Sequence, residues 1–188
     1  WPEASYPAVA SEEVAQFQVI DKLKTPLLMG VVSFDGVIPE EWPPSQGWQF
    51  HLYNSAMLIR PGGYLEAVYH KNHLVPMGEY VPLSGLFFFI EKLVFGMAEF
   101  TPGGQFNLID VGEMKIGVTI CYEDLFPEIA RRFTRDGANL LVNLTNDAWY
   151  EKSSAVPQHV EFSRFRAIEN RRYLARATNT GVTAVFDP

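Results

Sequence analysis

The stretch Gly117-Val-Thr-Ile-Cys-Tyr-Glu-Asp-Leu-Phe-Pro-Glu128 decides the fold of this chain. The residues before Cys121 are apolar and typical of a buried strand, and Pro127 suits the first turn of a helix, where its missing N–H costs least. The stretch therefore predicts a strand, a turn that carries Cys121, and a helix. At such a turn backbone N–H groups can face an oxyanion, and the helix dipole with a nearby cation would lower a thiol pKa from about 8.5.

Elements of alternating type are predicted on both sides of this stretch, which indicates an α/β fold with layered architecture. Before it, Ser11 can cap a surface helix that Pro26 ends, and strands are expected at 27–33, 54–59, 64–71, 106–110 and 114–120. After it, we expect a helix from Pro127 to Gly137, a strand at 139–144, a helix at 158–175 and a strand at 181–186. The helix at 158–175 carries Phe162, Phe165 and Ile168 at helical spacing, and its arginines favour a solvated or salt-bridged face over phosphate contact.

Composition limits the classes of function. The 188 residues, 47% of them hydrophobic, suffice for one core, and we expect a single domain over residues 1–188. The net charge of -7 repels phosphate backbones, so nucleic acid is not an expected partner. Cys121 is the only cysteine, which excludes an internal disulfide, and an inert buried thiol is the commoner case for an isolated cysteine.

A second motif surrounds Lys71. It reads Tyr69-His-Lys-Asn-His-Leu-Val-Pro-Met-Gly-Glu-Tyr-Val-Pro82, so a lysine at a strand end precedes Glu79 by eight residues. A solvated lysine is the ordinary alternative, and Glu3 in the opening Trp-Pro-Glu has the equivalent alternative of a loop acid. The prolines, the glycine and the apolar flanks around Lys71 and Glu79 instead favour a shaped loop beside a cleft.

Together the three segments resemble the nitrilase superfamily and, within it, the bacterial apolipoprotein N-acyltransferases. The similarity rests on the Trp-Pro-Glu opening, the Lys-x-x-Leu-Val-Pro-x-Gly-Glu-Tyr-Val-Pro loop and the Ile-Cys-Tyr-Glu-x-x-Phe-Pro-Glu turn. It continues through Leu144–Trp149, Gln158-His159, Arg164–Arg172 and Arg176–Gly181. It implies an α/β/β/α sandwich that lacks its first strand in this chain. It also implies a site with Glu3 as general base, Lys71 facing the tetrahedral intermediate, and Cys121 as the acylated nucleophile, supported by Glu79, Tyr122 and Glu123.

The resemblance further implies transfer of a fatty acyl group from a phospholipid, through a Cys121 thioester, to the N-terminal amine of a diacylglyceryl-cysteine lipoprotein. The expected location is the bacterial cytoplasmic membrane, with this domain on the periplasmic side. No signal peptide or spanning segment is visible, and we expect a piece of a longer protein whose membrane helices precede Trp1.

An apolar segment at 83–97 follows the Lys71 motif and is too short to span a bilayer. A core helix is one interpretation. In the lipid-using acyltransferases that the chain resembles, this region is an arm over the site at the membrane surface. Leu86, Phe87, Phe88 and Phe89 are then expected to contact acyl chains or the bilayer interface.

Three other functions fit the sequence less well. A soluble amidase or carbamoyl hydrolase would use the same three residues with water as acceptor, but such enzymes more often carry Cys-Tyr-Asp with a following arginine, whereas this chain has Cys121-Tyr-Glu-Asp124. An inactive binding domain is disfavoured because all three candidate catalytic residues are present. His51, His70, His73 and His159 lack metal-ligand spacing and no glycine-rich nucleotide loop occurs, so we expect no metal and no cofactor.

Overall fold

The computed structural model describes residues 24–36, 50–80, 99–150 and 153–188. These residues form strands and helices in alternation, as expected. The strands are β1 (Leu27–Gly36), β2 (Phe50–Ile59), β3 (Leu65–His70), β4 (Ile109–Val111), β5 (Met114–Ile120), β6 (Leu140–Thr145), β7 (Tyr173–Thr178) and β8 (Ala184–Phe186). The α-helices are α1 (Pro127–Arg135) and α2 (Ala155–Asn170), and 3-10 turns occupy Cys121–Leu125 and Asp147–Tyr150.

One sheet is antiparallel and has the order β1-β2-β3. The tight turn at Pro61-Gly-Gly63 joins β2 to β3, with Gly62 and Gly63 at positive φ of 88° and 83°. The predicted strand at 27–33 is confirmed but continues to Gly36, because β1 pairs with β2 along its whole length. Lys71 follows β3 directly and therefore lies at the carboxyl end of this strand.

The other sheet has the order β4-β5-β6-β7-β8. Its three central strands are parallel, and the two edge strands run antiparallel to them. The carboxyl ends of parallel strands meet at one edge, which is where α/β proteins commonly bind ligands. Cys121, at the end of β5, lies at that edge.

The two sheets pack face to face, with β2 against β5 and β3 against β4. The main core between them contains Ala56 and Leu58 from β2 together with Val118 and Ile120 from β5. Helices α1 and α2 contact β5 and β7 of the five-stranded sheet. Met57 and Ile59 alternate with the core residues of β2 and therefore line the opposite face of the three-stranded sheet, in a second apolar cluster.

The predicted helix at 158–175 is wrong in its second part. Helix α2 ends at Asn170, Arg171 adopts a left-handed φ of 49°, and Tyr173–Thr178 form β7 instead. Pairing with β6 stabilises this strand, a tertiary contact that the local pattern does not contain. The helical spacing of Phe162, Phe165 and Ile168 does not mark the buried face of α2. Phe165 and Ile168 are about half exposed, whereas Ser163 and Arg166 face inward.

Further differences concern strand length, and the strand expected at 54–59 already begins at Phe50. The strand expected at 106–110 is only Ile109–Val111, and the last strand begins at Ala184 and not at 181. The strand that leads to Cys121, the helix from Pro127 and the strand at 139–144 are confirmed with shifts of one or two residues. The helix expected from Ser11 lies outside the described residues. Among the described helices, none is long and apolar enough to cross a bilayer.

Gly117 in β5 permits close packing of α1 on the sheet. A Cβ atom at this position would lie 2.5 Å from Cβ of Phe133, which belongs to α1 and is fully buried. We expect Gly117→Ala to lower the free energy of unfolding by about 1–3 kcal/mol through overpacking. Thermal unfolding measures this loss. Met114→Ala, an exposed change in the same strand, is the control, and equal stabilities for the two variants would contradict the packing described.

Candidate active site

Cys121 occupies a strained turn between β5 and α1. Its φ of 50° lies in the left-handed region, which costs a residue with a side chain about 1–3 kcal/mol. The residue is 9% exposed, and its thiol forms no disulfide. A strained strand-to-helix turn is the geometry that presents nucleophiles at the edge of other α/β sheets. The predicted turn at Cys121 is therefore confirmed as a structural feature.

Lys71 is completely buried, which excludes the alternative of a solvated lysine. Its Nζ lies 2.8 Å from Oε1 of Glu79, whose side chain is 12% exposed. Glu79 also accepts hydrogen bonds from Asn54 Nδ2 at 2.9 Å and from the Val75 N–H at 2.8 Å. A buried ammonium requires such a partner, because an uncompensated charge away from water is strongly destabilising. Glu79 therefore holds the Lys71 ammonium in the folded protein.

Backbone contacts hold the segment around Lys71 in place. The Lys71 N–H donates to the Asn54 carbonyl at 2.8 Å, and the Lys71 carbonyl accepts from the Gly103 N–H at 2.9 Å. Gly103 permits this approach, since a Cβ atom there would lie 2.5 Å from the carbonyl oxygen of His70. Lys71 is thus anchored at its backbone and at its ammonium.

The Glu123 carboxylate joins the Lys71 segment to the Cys121 turn. Its Oε1 accepts from the backbone N–H groups of Asn72 at 2.7 Å and His73 at 3.0 Å. Its Oε2 accepts from the Ile120 N–H at 2.8 Å, and the Tyr69 hydroxyl donates to both oxygens. Burial raises the pKa of Glu123 to about 7, while these donors and the charge of Lys71 favour the ionised form.

Two tyrosines lie close to the turn. Tyr122 is half-buried and packs edge-to-face against Phe126, with 5.9 Å between ring centroids. Tyr150 is also half-buried and packs edge-to-face against His159. Burial, followed by the nearby negative charges of a Cys121 thiolate and Asp147, raises the pKa of Tyr150 to about 12. Tyr150 therefore lies within electrostatic range of Cys121 and stays protonated at neutral pH.

A second set of buried polar side chains packs beneath the turn. Two carboxylates, Asp124 and Asp147, alternate with Arg176 of β7 and His159 of α2. The His159 ring lies between the carboxylates, with Nε2 3.0 Å from Asp124 Oδ1 and Nδ1 3.0 Å from Asp147 Oδ1. Arg176 pairs with both acids at 3.2 and 2.9 Å. Ser163 donates to Asp124 Oδ2 at 2.6 Å.

Ionisation of this set follows from its hydrogen bonds. Burial by itself lowers the pKa of His159, but the hydrogen bonds to Asp124 and Asp147 outweigh burial and raise the pKa to about 9. Burial likewise acts to raise the pKa of Asp147, and the bond to His159 with the Arg176 charge brings it below its ordinary value. His159 is therefore an imidazolium at neutral pH, and Asp147 is ionised beside it.

Five of the ten expected site residues are described, namely Lys71, Glu79, Cys121, Tyr122 and Glu123, and they lie in two connected segments. Cys121, Tyr122 and Glu123 share one turn, and Glu123 bonds the segment that begins at Lys71. Glu3, the apolar segment 83–97 and its residues Leu86, Phe87, Phe88 and Phe89 lie outside the described residues. The catalytic roles of Glu3, Lys71 and Cys121 stay predictions.

Sequence reasoning missed the buried set beneath the turn. It considered His159 as a possible metal ligand and gave neither His159 nor Arg176 a role in the site. The available signal was the position of Asp147 just beyond a strand and of charged residues on neighbouring strands, which converge at one sheet edge when the strands are parallel. The described residues contain no group of three potential metal ligands close enough to hold an ion.

Comparison with known proteins identifies the family of the chain. The carbon-nitrogen hydrolase family model matches residues 1–188. This chain belongs to the carbon-nitrogen hydrolase family.

Two solved structures of similar proteins show the family fold. An amidase from Nesterenkonia sp. is 23% identical, with a TM-score of 0.62 over 96% of this chain and 62% of that chain. A carbon-nitrogen hydrolase from Helicobacter pylori G27 is 25% identical, with a TM-score of 0.52 over 92% of this chain and 50% of that chain. The expected α/β sandwich of the nitrilase superfamily is confirmed.

Relatives within the family carry a more specific name. The apolipoprotein N-acyltransferase of Geobacter metallireducens is 41% identical over 100% of this chain and 35% of its own length. That of Chlorobaculum tepidum is 35% identical over 100% of this chain and 38% of its length. That of Bdellovibrio bacteriovorus is 36% identical over 99% of this chain and 35% of its length. The chain thus corresponds to one part of these longer proteins.

Replacing Glu123 tests the link between the two segments. In Glu123→Gln, an amide N–H₂ must face either the Asn72 and His73 N–H groups or the Ile120 N–H, so at least one donor loses its acceptor. We expect the free energy of unfolding to fall by about 1–3 kcal/mol. Thermal unfolding measures this, with Glu113→Gln at an exposed position as the matched control. Equal melting temperatures for both variants would contradict the role of Glu123.

The raised pKa of His159 predicts a specific dependence of stability on pH. The imidazolium stabilises the fold fully below about pH 6.5, its ordinary pKa, and this stabilisation is lost as pH rises through about 9. Wild type should therefore exceed His159→Gln in melting temperature most at about pH 6 and progressively less towards about pH 9. The difference between the two proteins cancels other titrating groups. A pH-independent difference would show that His159 is not charged in the folded protein.

Proposed function

We propose that the protein containing this chain is an apolipoprotein N-acyltransferase. It moves a fatty acyl group from a phospholipid, through a thioester on Cys121, to the N-terminal amine of a diacylglyceryl-cysteine lipoprotein. The observation that carries the proposal is the Glu123 carboxylate, which connects the buried Lys71–Glu79 pair to the strained Cys121 turn. Shared names of relatives at 35% to 41% identity supply the acceptor class.

In the first half-reaction, Cys121 becomes acylated. Glu3 accepts the thiol proton, and the thiolate attacks the ester carbonyl of the phospholipid. The Lys71 ammonium stabilises the negative charge that develops on the carbonyl oxygen. The carbon–oxygen ester bond then breaks, a proton passes to the departing alkoxide, and a lysophospholipid leaves a thioester on Cys121.

Burial of Lys71 supports its role in this step. An ammonium fixed by Glu79 in a dry environment needs no reorganisation when the oxyanion forms, and its interaction is weakened less by water. Glu79 also supplies the opposite charge that a buried ammonium requires. The pair thus supplies a positive charge in a fixed position.

In the second half-reaction, the lipoprotein amine attacks the thioester carbonyl. The amine loses a proton to the base, the carbon–sulfur bond breaks, and the amide product leaves Cys121 as a thiol. Both substrates are lipids, so we place the full-length protein in the bacterial cytoplasmic membrane with this domain on the periplasmic side. The segment 83–97, with Leu86, Phe87, Phe88 and Phe89, is the arm that we propose to contact acyl chains.

A hydrolase is the alternative function. The amidase from Nesterenkonia sp. shares the fold, and the same three residues can pass an acyl group to water. At 23% identity, the similarity to that amidase supports a shared fold and no shared substrate. The apolar segment 83–97 favours a lipid substrate over a small amide.

Acylation of Cys121 tests the proposal directly. With phospholipid and no acceptor, the full-length protein should accumulate a fatty acyl group that neutral hydroxylamine releases, because a thioester is expected. Mass spectrometry should place the group on the Cys121 peptide, and a diacylglyceryl-cysteine peptide should discharge it to an amide. Cys121→Ala should carry no acyl group while retaining its fold.

Lys71→Met tests the role of the ammonium, because methionine keeps much of the side-chain volume and removes the charge. It should slow acylation by a factor of about 100–1000 if the ammonium stabilises the oxyanion. A wild-type protein that never acylates from phospholipid but hydrolyses small amides would overturn the proposal in favour of the alternative.

A further inference from the structure

The carbonyl oxygen of Cys121 receives two buried side-chain donors. Asn143 Nδ2 lies 3.3 Å away and His159 Nε2 lies 3.4 Å away. Asn143 belongs to β6 and His159 to α2, so side chains from two separate elements donate to the same carbonyl oxygen. The left-handed turn at Cys121 persists only where its surroundings compensate for the strain. These two contacts are direct candidates for that compensation.

Neither donor is free to rotate away. Asn143 Nδ2 also donates to Thr119 Oγ1 at 3.1 Å, and Asn143 Oδ1 accepts from Arg176 Nη1 at 2.7 Å. His159 is held at both ring nitrogens by Asp124 and Asp147. All of these side chains are at least nine-tenths buried, so water does not compete for their hydrogen bonds.

Charge balance explains why the ring of His159 donates on both sides. The buried set holds two carboxylates, and Arg176 supplies one positive charge, so a protonated His159 completes neutrality. Arg176 Nη2 lies 3.1 Å from His159 Nδ1, and both nitrogens point to Asp147 Oδ1, which accepts from each. The imidazolium then has Nε2–H available for Asp124 and for the Cys121 carbonyl.

We propose that Asn143 and His159 are positioning residues for Cys121, holding its carbonyl so that the strained turn directs the thiol into the site. The inference rests on the proposed role of Cys121 as nucleophile. Asn143 and His159 touch the peptide that follows the reacting side chain and do not act on substrate. Their removal lets the turn relax, and a misplacement of about 1 Å at a reacting atom can cost about 100-fold in rate.

Ser163 offers a matched control within the same set. It is completely buried, donates to Asp124 and accepts from Arg176 Nη1 at 2.9 Å, but its hydroxyl has no contact with the Cys121 carbonyl among the hydrogen bonds of the described residues. A purely structural role for the set predicts equal effects of Ser163→Ala and Asn143→Ala. A positioning role predicts that only Asn143→Ala and His159→Ala lower the reactivity of the Cys121 thiol.

The experiment measures alkylation of Cys121 by iodoacetamide in the full-length protein, read by mass spectrometry of the Cys121 peptide, between about pH 6 and about pH 9. Asn143→Ala and His159→Ala should lower the rate constant near neutral pH by about 10- to 100-fold and move the midpoint of the pH profile upward. Ser163→Ala should keep the wild-type profile. Every variant retains the other charged or titratable groups that face the turn from the elements packed against it. They are Tyr69, Lys71, His73, Tyr122, Glu123, Asp124, Asp147, Tyr150, Arg166 and Arg176.

Asn143→Ala safeguards the test if His159→Ala fails to fold, because Asn143 is neutral and its loss leaves the charge balance intact. Melting temperatures are measured for each variant, and alkylation rates are compared at a temperature below the lowest of these melting temperatures. A slowing of Ser163→Ala equal to that of Asn143→Ala, or a wild-type profile in Asn143→Ala, would overturn the inference.

Alkylation requires no lipid, so its outcome is separate from that of the proposed function. Failure of wild type to form a thioester from phospholipid would remove the acyltransferase proposal and leave the alkylation comparison intact. Where the thioester does form, Asn143→Ala should lower kcat for acylation with KM unchanged, since substrate contacts are preserved.

Discussion

The Glu123 carboxylate is the interaction on which the rest of the site depends. It is completely buried, yet it satisfies donors from two distant segments, the one that follows Lys71 and the end of β5. An unpaired buried carboxylate is costly, and so is a buried N–H without an acceptor. Each segment therefore stabilises the other through this one group. Their relative position is set by the fold before any substrate binds.

Neighbouring carboxylates in the same turn have different partners. Glu123 bonds the segment from the three-stranded sheet, whereas Asp124 bonds His159, Ser163 and Arg176 beneath the five-stranded sheet. The turn is consequently held from two sides. This arrangement accounts for a left-handed Cys121 at the end of a regular strand, where glycine would be the ordinary residue. The strain at the nucleophile is offset by contacts on both flanks.

Local signals in the sequence predicted the Cys121 turn and the shaped loop that carries Lys71 and Glu79, although not the ion pair between them. A proline after an apolar run and a lysine at a strand end are sufficient for these. Strand β7 was missed, because Tyr173 to Thr178 become a strand only through pairing with β6. The inward side of α2 was also missed, since Ser163 and Arg166 are polar and are buried only because Asp124 and its neighbours lie opposite. Such partners come from distant parts of the chain.

Hydrogen exchange of backbone amides tests most directly whether Glu123 couples the two segments. Glu123→Ala removes both carboxylate oxygens, so the N–H groups of Asn72, His73 and Ile120 should lose protection together. The Val75 N–H, which donates to Glu79, should keep its protection. Loss of protection at Ile120 alone, with Asn72 and His73 unchanged, would contradict the account and leave the two segments independent.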